Sequence, residues 1–299
     1  MSHKKVFLQD IKENHNLKTS LMIMKRLYKD GDKVVYMLSD KSGQIKAKLP
    51  AKSKPEIGQV IEIDCKKEIV LDVSSFKITT NSNLEDYLPT VKRPIEDIMI
   101  DIEEISKECI TSQEGISLND YFFKDEEFIK KFKQAIGGVS MHHNYIGGLA
   151  EHTLNVMYLT KVLCDRYDCK RREIAVLSAK LHDIGKMYEL DYNGPFKYTL
   201  QGELEGHISI GIQLIDRALN NIDNTFSEDF IRRIKGCIIQ HHGKVEYGSP
   251  RAANMEESFI LNYADTVDAT MNKIAIIKEN SESGRWSDYD RRIETKLYL

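Results

Sequence analysis

The apolar residues of this 299-residue chain change their spacing once, between residues 80 and 95, and the change limits the chain to a β unit followed by a helical one. Before it, apolar side chains alternate or run in short blocks. Leu21 and Ile23 come first, then Val34 to Leu38, then Ile45, Ala47 and Leu49, then Val60, Ile61, Ile63 and Cys65, then Ile69 to Ile78. Alternation turns every second side chain to one buried face, as a half-buried strand requires. Asp30-Gly31-Asp32 and the stretch Ser39 to Gly43 supply turns between runs. Five short strands within about 60 residues predict a small closed barrel over residues 1–80. An OB-fold is the leading topology, and an SH3-like barrel satisfies the same pattern.

Residues 81–94 are polar, rich in turn formers and contain Pro89 and Pro94, so they read as a linker. From Ile95 the step lengthens to three or four residues. Ile98, Ile102, Ile105 and Cys109 share one helical face, and Phe128, Phe132 and Ile136 repeat the pattern before Gly137-Gly138. Further helices are expected at about 149–166, 171–187, 207–220, 227–241 and 256–278. Residues 95–299 are thus expected to be all-helical, with a C-terminal tail from Glu279.

Charge separates the same two parts. Residues 1–80 carry 16 Lys/Arg against 10 Asp/Glu, whereas the remainder carries 27 against 36. A basic front on an acidic body points to a polyanionic partner for the front, with a solvated lysine-rich surface as the simpler alternative. No apolar run approaches the roughly 20 residues of a membrane span, and no apolar stretch follows the basic start MSHKK, so neither a membrane role nor a secretory signal is expected. Cys65, Cys109, Cys164, Cys169 and Cys237 are odd in number and form no CxxC pair, which suits reduced thiols in the cytoplasm.

Seven of the nine histidines fall between residues 142 and 242, beside carboxylates and at helix ends. His182-Asp183 ends the apolar run Ile174–Leu181 before Gly185, and it offers an imidazole and a carboxylate to a divalent cation. His152 and Asp265 lie in apolar stretches where an unpaired polar group would be costly. Asp268, three residues on from Asp265, is the rival ligand. His207 follows Glu205-Gly206 at a helix start, and His241-His242 closes a helix before Gly243. Lys186, one turn after His182, is placed either to neutralise a phosphate oxygen or leaving group or to cap a helix end. No cysteine stands among these candidates, which argues against structural zinc; mixed N/O donors suit manganese, magnesium, iron or cobalt.

The order His152, His182-Asp183, Asp265 resembles the HD-domain phosphohydrolases. The sequence HDIGK and the intervening His207 and His241-His242 resemble the subset that holds two metals. That resemblance implies that His152, His182, Asp183 and Asp265 hold one ion, and that Asp183 bridges to a second held by His207 and by His241, His242 or both. Two bridged cations would activate water for attack on a phosphoester, with Asp183 and Lys186 at the centre of the chemistry.

Over nearly the whole chain the arrangement is similar to the YhaM family of 3′→5′ exoribonucleases, which join an OB-fold to an HD domain and favour manganese. LSDKSGQIKAKL, DYLPTVKRPIEDI, HHNYIGGLAEHT, HDIGK and RWSDYDRRIETKLYL carry the likeness. It implies that His142 and His143 face substrate. A basic barrel suits single-stranded RNA, with single-stranded DNA as a further substrate, since backbone tracking needs cations and bases stack on aromatic rings. Lys25, Arg26, Lys46 and Lys48 are the cationic candidates, and Tyr28, Tyr36 and Phe76 the aromatic ones. Tyr36 and Phe76 fit the barrel core equally well. The competing reading is a hydrolase of free nucleotides or cyclic dinucleotides whose barrel serves regulation or assembly. Arg285, Trp286 and Tyr289 in the tail are candidates for contact with a neighbouring domain or subunit, which leaves a homo-oligomer open.

Overall fold

Strands form at the front of the chain where apolar residues alternate, and a computed structural model describes them together with the rest of residues 4, 6–80, 82–139, 142–279 and 281–299. Residues 1–3 and 5 of the basic start and Asn81, the first residue of the expected linker, lie outside the described residues. The chain divides into two units, 1–90 with 191–197, and 91–190 with 198–299.

In the first unit β1 (Asn16–Asp30), β2 (Lys33–Asp40), β3 (Gly43–Pro50), β4 (Val60–Lys66), β5 (Val70–Asp72) and β6 (Phe76–Thr79) make one sheet in the order β5-β3-β2-β1-β4-β6. The 15-residue β1 pairs with β4 over Asn16–Met22 and with β2 over Met22–Asp30, so the sheet curls around it. Leu17, Leu21, Ile23, Leu38, Leu49 and Ile61 fill the interior. The parallel pairing of β3 with β5 completes an OB-type, barrel-like arrangement. It is not the closed five-stranded barrel expected. The run Ile69 to Ile78, read as one strand, breaks at 73–75; its first half bonds to β3 and its second half, β6, takes the free edge of β4. Each half satisfies a different edge, so the hydrogen-bonded circuit is interrupted between them.

Within residues 81–94 a 3-10 turn, Leu84–Asp86, is followed by buried Tyr87 and Leu88.

The second unit comprises α1 (Ile95–Cys109), α2 (Gln113–Phe123), α3 (Glu126–Gln134), α4 (Gly148–Tyr167), α5 (Arg172–Leu181), α6 (Lys186–Glu189), α7 (Leu200–Asn221), α8 (Glu228–Gln240) and α9 (Glu256–Glu279). The short strands β7 (Leu190–Asp191) and β8 (Lys197–Tyr198) lie between α6 and α7. Helix α5 is central, because every residue from Ile174 to Leu181 is buried. A helix that is buried all round is the core of its unit, and each fully buried Ile, Val or Leu adds roughly 1.5–3 kcal/mol. The helix expected at 171–187 stops at Leu181, and residues 182–185 form turns before α6. The helix expected from 207 begins earlier, at Leu200, but Gly206 (φ 72°) interrupts it, so a new helical run does open at His207.

Burying α5 on all sides also buries Lys180. Its ammonium donates to Ser106 Oγ (2.8 Å) and Asn119 Oδ1 (2.6 Å) and lies 3.8 Å from the Phe123 ring centre. Asn119 and Phe123 come from α2, a helix the periodicity did not predict. With no carboxylate in contact, burial pushes the amine down to about 7. Because the folded value lies below the unfolded one, the contribution of Lys180 is complete above about pH 10.5 and is lost as pH falls towards 7. The unfolding free energy of the chain should therefore rise from pH 7 to 10 by on the order of a few kcal/mol more than that of Lys180→Met. Denaturant titrations of both proteins across that range check this, and parallel curves would refute it.

Candidate metal centre

The turn after α5 owes its position to a missing side chain. A Cβ on Gly185 would lie 2.0 Å from the His207 carbonyl oxygen and 2.9 Å from the Gly211 nitrogen. Only glycine allows this backbone-to-backbone approach between the turn and α7. The kink at Gly206 then starts the helical run that presents His207. Helix α4 supplies His152, the α5 turn supplies His182 and Asp183, the end of α8 supplies His241 and His242, and α9 supplies Asp265.

These side chains converge on the carboxylate of Asp183, one set at each oxygen. On the Oδ2 side, His152 Nε2 and His182 Nε2 both lie 3.3 Å away, and they are 3.2 Å from each other. Asp265 Oδ1 completes the group 3.3 Å from His152 Nε2. On the Oδ1 side, His207 Nε2 lies at 3.5 Å and His241 Nε2 at 3.7 Å, with His242 beside them. Ligand atoms each about 2.1 Å from a shared cation sit roughly 3–3.5 Å apart, which is the spacing seen here.

Donor chemistry gives the same answer. His182 Nδ1 donates to the Ala179 carbonyl (2.8 Å), and His241 Nδ1 to that of Ile238 (2.7 Å). These bonds leave the Nε2 lone pairs facing inward, as outer hydrogen bonds do for metal-binding histidines. Asp183 Oδ1, His207 Nε2, His241 Nε2 and His242 Nδ1 are buried without a hydrogen-bond partner. Four such atoms in one place would be expensive unless a cation met them. The residues therefore fit a pair of divalent cations.

The electrostatics favour positive charge in this space. Burial would raise the Asp183 carboxyl, but Lys186, His182 and His152 outweigh it and hold it ionised, well below the usual range. Burial would lower His152, yet Asp183, Asp265 and Asp268 push it well above its ordinary value. Burial and the neighbouring imidazoles of His242 and His182 keep His241 neutral, the form that ligates metal. Lys186 Nζ donates to Asp183 Oδ2 at 2.6 Å and is largely buried.

Asp265 and Asp268 meet different nitrogens of His152. Both project from one face of α9, on either side of the His152 ring. Asp265 meets Nε2, while Asp268 Oδ2 accepts from Nδ1 at 2.6 Å. Asp268 also accepts from His143 Nε2 (2.7 Å) and Asn155 Nδ2 (2.7 Å), so its oxygens are committed to orienting His152.

His143 departs from the substrate-facing position expected of it. It is 1% exposed, its amide donates to Asn272 Oδ1 (3.0 Å), and Tyr145 Oη lies 2.9 Å from its Nδ1. Those contacts hold it in the left-handed region, φ 48°, behind Asp268. His142 is half-buried beside His152, with Nδ1 unpartnered; burial and the nearby Lys186 push it down to about 3.

In the barrel, Tyr36 is a core residue at 5% exposure, not a surface platform, because its position in β2 faces inward with Val34 and Leu38. Phe76 packs against the same core from β6. Lys46 is exposed, Lys48 is tied to Asp30 (2.7 Å), and Tyr28 is exposed. Sequence reading missed Glu189, which accepts from the His207 amide (3.0 Å) and meets His207 Nδ1 (3.2 Å). Nothing in the spacing of Glu189 marks it, since α6 and α7 meet only in the fold.

Removing the outer carboxylate should loosen the inner site. Asp268→Asn should weaken divalent-metal affinity by about 10–100-fold, as outer-sphere partners of ligating histidines do. Calorimetric titration of the metal-free chain with Mn2+ measures it, and unchanged affinity would show that Asp268 does not orient His152.

Residues 149–270 match the HD domain family. The chain is 29% identical over 277 residues to the 3′-5′ exoribonuclease YhaM of Bacillus subtilis (strain 168), covering 88% of this chain and 86% of that protein. It is 28% identical over 279 residues to the 3′-5′ exoribonuclease YhaM of Geobacillus sp. (strain WCH70), covering 88% and 83%. The protein of the same name from Bacillus licheniformis is 28% identical over 84% of this chain. No solved structure matches. Among the described residues no helix is long and apolar enough to cross a membrane. The second unit thus contains a helical HD domain of the kind that binds divalent metal, and the chain is similar along most of its length to the YhaM 3′-5′ exoribonucleases.

Proposed function

We propose that the chain is a metal-dependent exoribonuclease that removes nucleotides from the 3′ end of single-stranded RNA. The observation that carries this reading is the carboxylate of Asp183, with a separate group of ligand atoms at each oxygen. The likeness to YhaM proteins supports the substrate, because it runs through both units and not through the HD domain alone. Mixed imidazole and carboxylate donors suit Mn2+, with Mg2+, Co2+ or Fe2+ as alternatives. Bound in pairs, such cations acidify water and offset phosphate charge.

The protein's own residues have distinct tasks in this reading. Asp183 would be shared between the two cations, His152, His182 and Asp265 would hold one, and His207, His241 and His242 would hold the other. Lys186 leaves Asp183 for a non-bridging phosphate oxygen or the leaving oxygen when substrate enters, which its ammonium can do without changing protonation. Lys186 is held charged, since burial lowers it but Asp183 more than compensates. His142, with an open Nδ1 and no charge, contacts the terminal nucleotide. The barrel over residues 1–80 holds the strand upstream of the cut, and residues 81–94 join it to the cutting unit. Single-stranded DNA is a second substrate. Free thiols at all five cysteines support a cytoplasmic location.

Asp183→Ala should reduce Mn2+-supported hydrolysis by at least about 10³-fold, since both ligand groups lose their shared member, while RNA binding measured without metal persists. Turnover near that of the unaltered chain would remove Asp183 from its bridging role. RNA labelled at its 5′ end should give a descending ladder of labelled products. Immediate release of the labelled nucleotide would reverse the polarity, and cleavage confined to mononucleotides or cyclic dinucleotides would favour the nucleotide hydrolase.

A further inference from the structure

Strand β1 runs past the core it supports. Leu17, Leu21 and Ile23 fill the interior, but beyond Ile23 its register with β2 slips twice, between Ile23 and Lys25 and between Arg26 and Tyr28. Bulges re-aim the side chains that follow them. Here they set Arg26 opposite Tyr36 and Lys29 opposite Val34. Directly opposed residues of an antiparallel pair project from the same face, and Tyr36 and Val34 face the core. Two cations therefore occupy core-side positions at the end of the barrel.

Lys54 joins them from the loop between β3 and β4, held at φ 38° ahead of buried Pro55. Arg26, Lys29 and Lys54 with Val34, Tyr36 and Pro55 border an open cavity of about 410 Å³ whose lining contains no carboxylate. Neighbouring lysines are neutralised, Lys33 by Asp72 and Lys48 by Asp30. Among the described residues the three at the cavity have no such partner. Three like charges around one concavity, over an apolar floor, attract an anion carrying an apolar appendage.

We propose that this cavity binds a phosphodiester of a single-stranded nucleic acid. The guanidinium of Arg26 and the ammonium groups of Lys29 and Lys54 surround the phosphate. The adjacent ribose or base covers Tyr36 and Pro55 at the floor. The proposal rests on the exoribonuclease reading and says where on the barrel its strand lies. Of the cationic candidates Lys25, Arg26, Lys46 and Lys48 it retains Arg26, and it adds Lys29 and Lys54.

The test is fluorescence anisotropy of a labelled oligoadenylate bound to the full chain in EDTA, where the strand stays intact, at several salt concentrations. The triple variant Arg26→Gln, Lys29→Gln, Lys54→Gln should bind at least about tenfold more weakly, and its log–log salt slope should be shallower by roughly two. Lys107→Gln, Lys124→Gln, Lys130→Gln removes the same charge from the helical unit and should bind as the unaltered chain does. Undiminished binding by the first variant, or equal weakening of both, would overturn the cavity as a subsite. If the triple variant does not melt cooperatively, Lys54→Gln alone, on its exposed loop, should still show about a third of the slope change, and no change would count against the cavity. An unaltered chain that binds the strand with the expected dependence on these residues, yet shortens no RNA with Mn2+, would sink the exoribonuclease reading and leave the cavity standing.

Discussion

The carboxylate of Asp183 is the point on which the helical unit depends. It is buried and ionised, a combination that a low-dielectric interior does not tolerate without compensation. Lys186 supplies one positive charge at 2.6 Å, and five imidazoles and a second aspartate crowd around it with lone pairs directed inward. The donor set and the unpartnered atoms fit the lining of a cationic site. Each element contributing to it is held by a different local device, and those devices describe how the fold was assembled around one charge.

Two glycines do much of that assembly. Gly185 lets the turn after α5 touch the backbone of α7, and Gly206 breaks α7 so that His207 starts a helical run at the point of contact. A larger residue at 185 would push α7 away by more than the few tenths of an ångström a ligand set tolerates. Outer carboxylates then fix ring orientation, Asp268 for His152 and Glu189 for His207. Backbone carbonyls do the same for His182 and His241. The packed helix α5 anchors the whole, even at the expense of burying Lys180 among Ser106, Asn119 and Phe123.

The barrel follows a different logic. The contribution of β1 to the buried core ends at Ile23, and the strand beyond carries Lys25, Arg26 and Lys29. Bulges in β1 set Arg26 and Lys29 opposite the core residues Tyr36 and Val34, where they border a cavity. The broken last strand reflects competition for edges, since β3 and β4 each take half of it.

Periodicity alone determined the division into a β and a helical part, because a spacing of two or of 3.6 is a local property of the backbone. The ordered set His152, His182-Asp183, His207, His241-His242 and Asp265 was legible for a similar reason. Buried polar residues interrupting apolar helices stand out whatever surrounds them. Helix α2 escaped because its apolar stripe is short, and Glu189 because its partner lies 18 residues away across a turn. Sequence spacing placed Asp265 and Asp268 on one face of α9 but could not say which side of an imidazole each would meet. It also gave His143 to the substrate and left Tyr36 open between a base platform and the core, whereas the fold buried both. Those outcomes depend on which neighbouring elements fill the space around a side chain, and only the tertiary structure decides that, because burial and hydrogen-bond pairing are properties of the assembled neighbours and not of the segment itself.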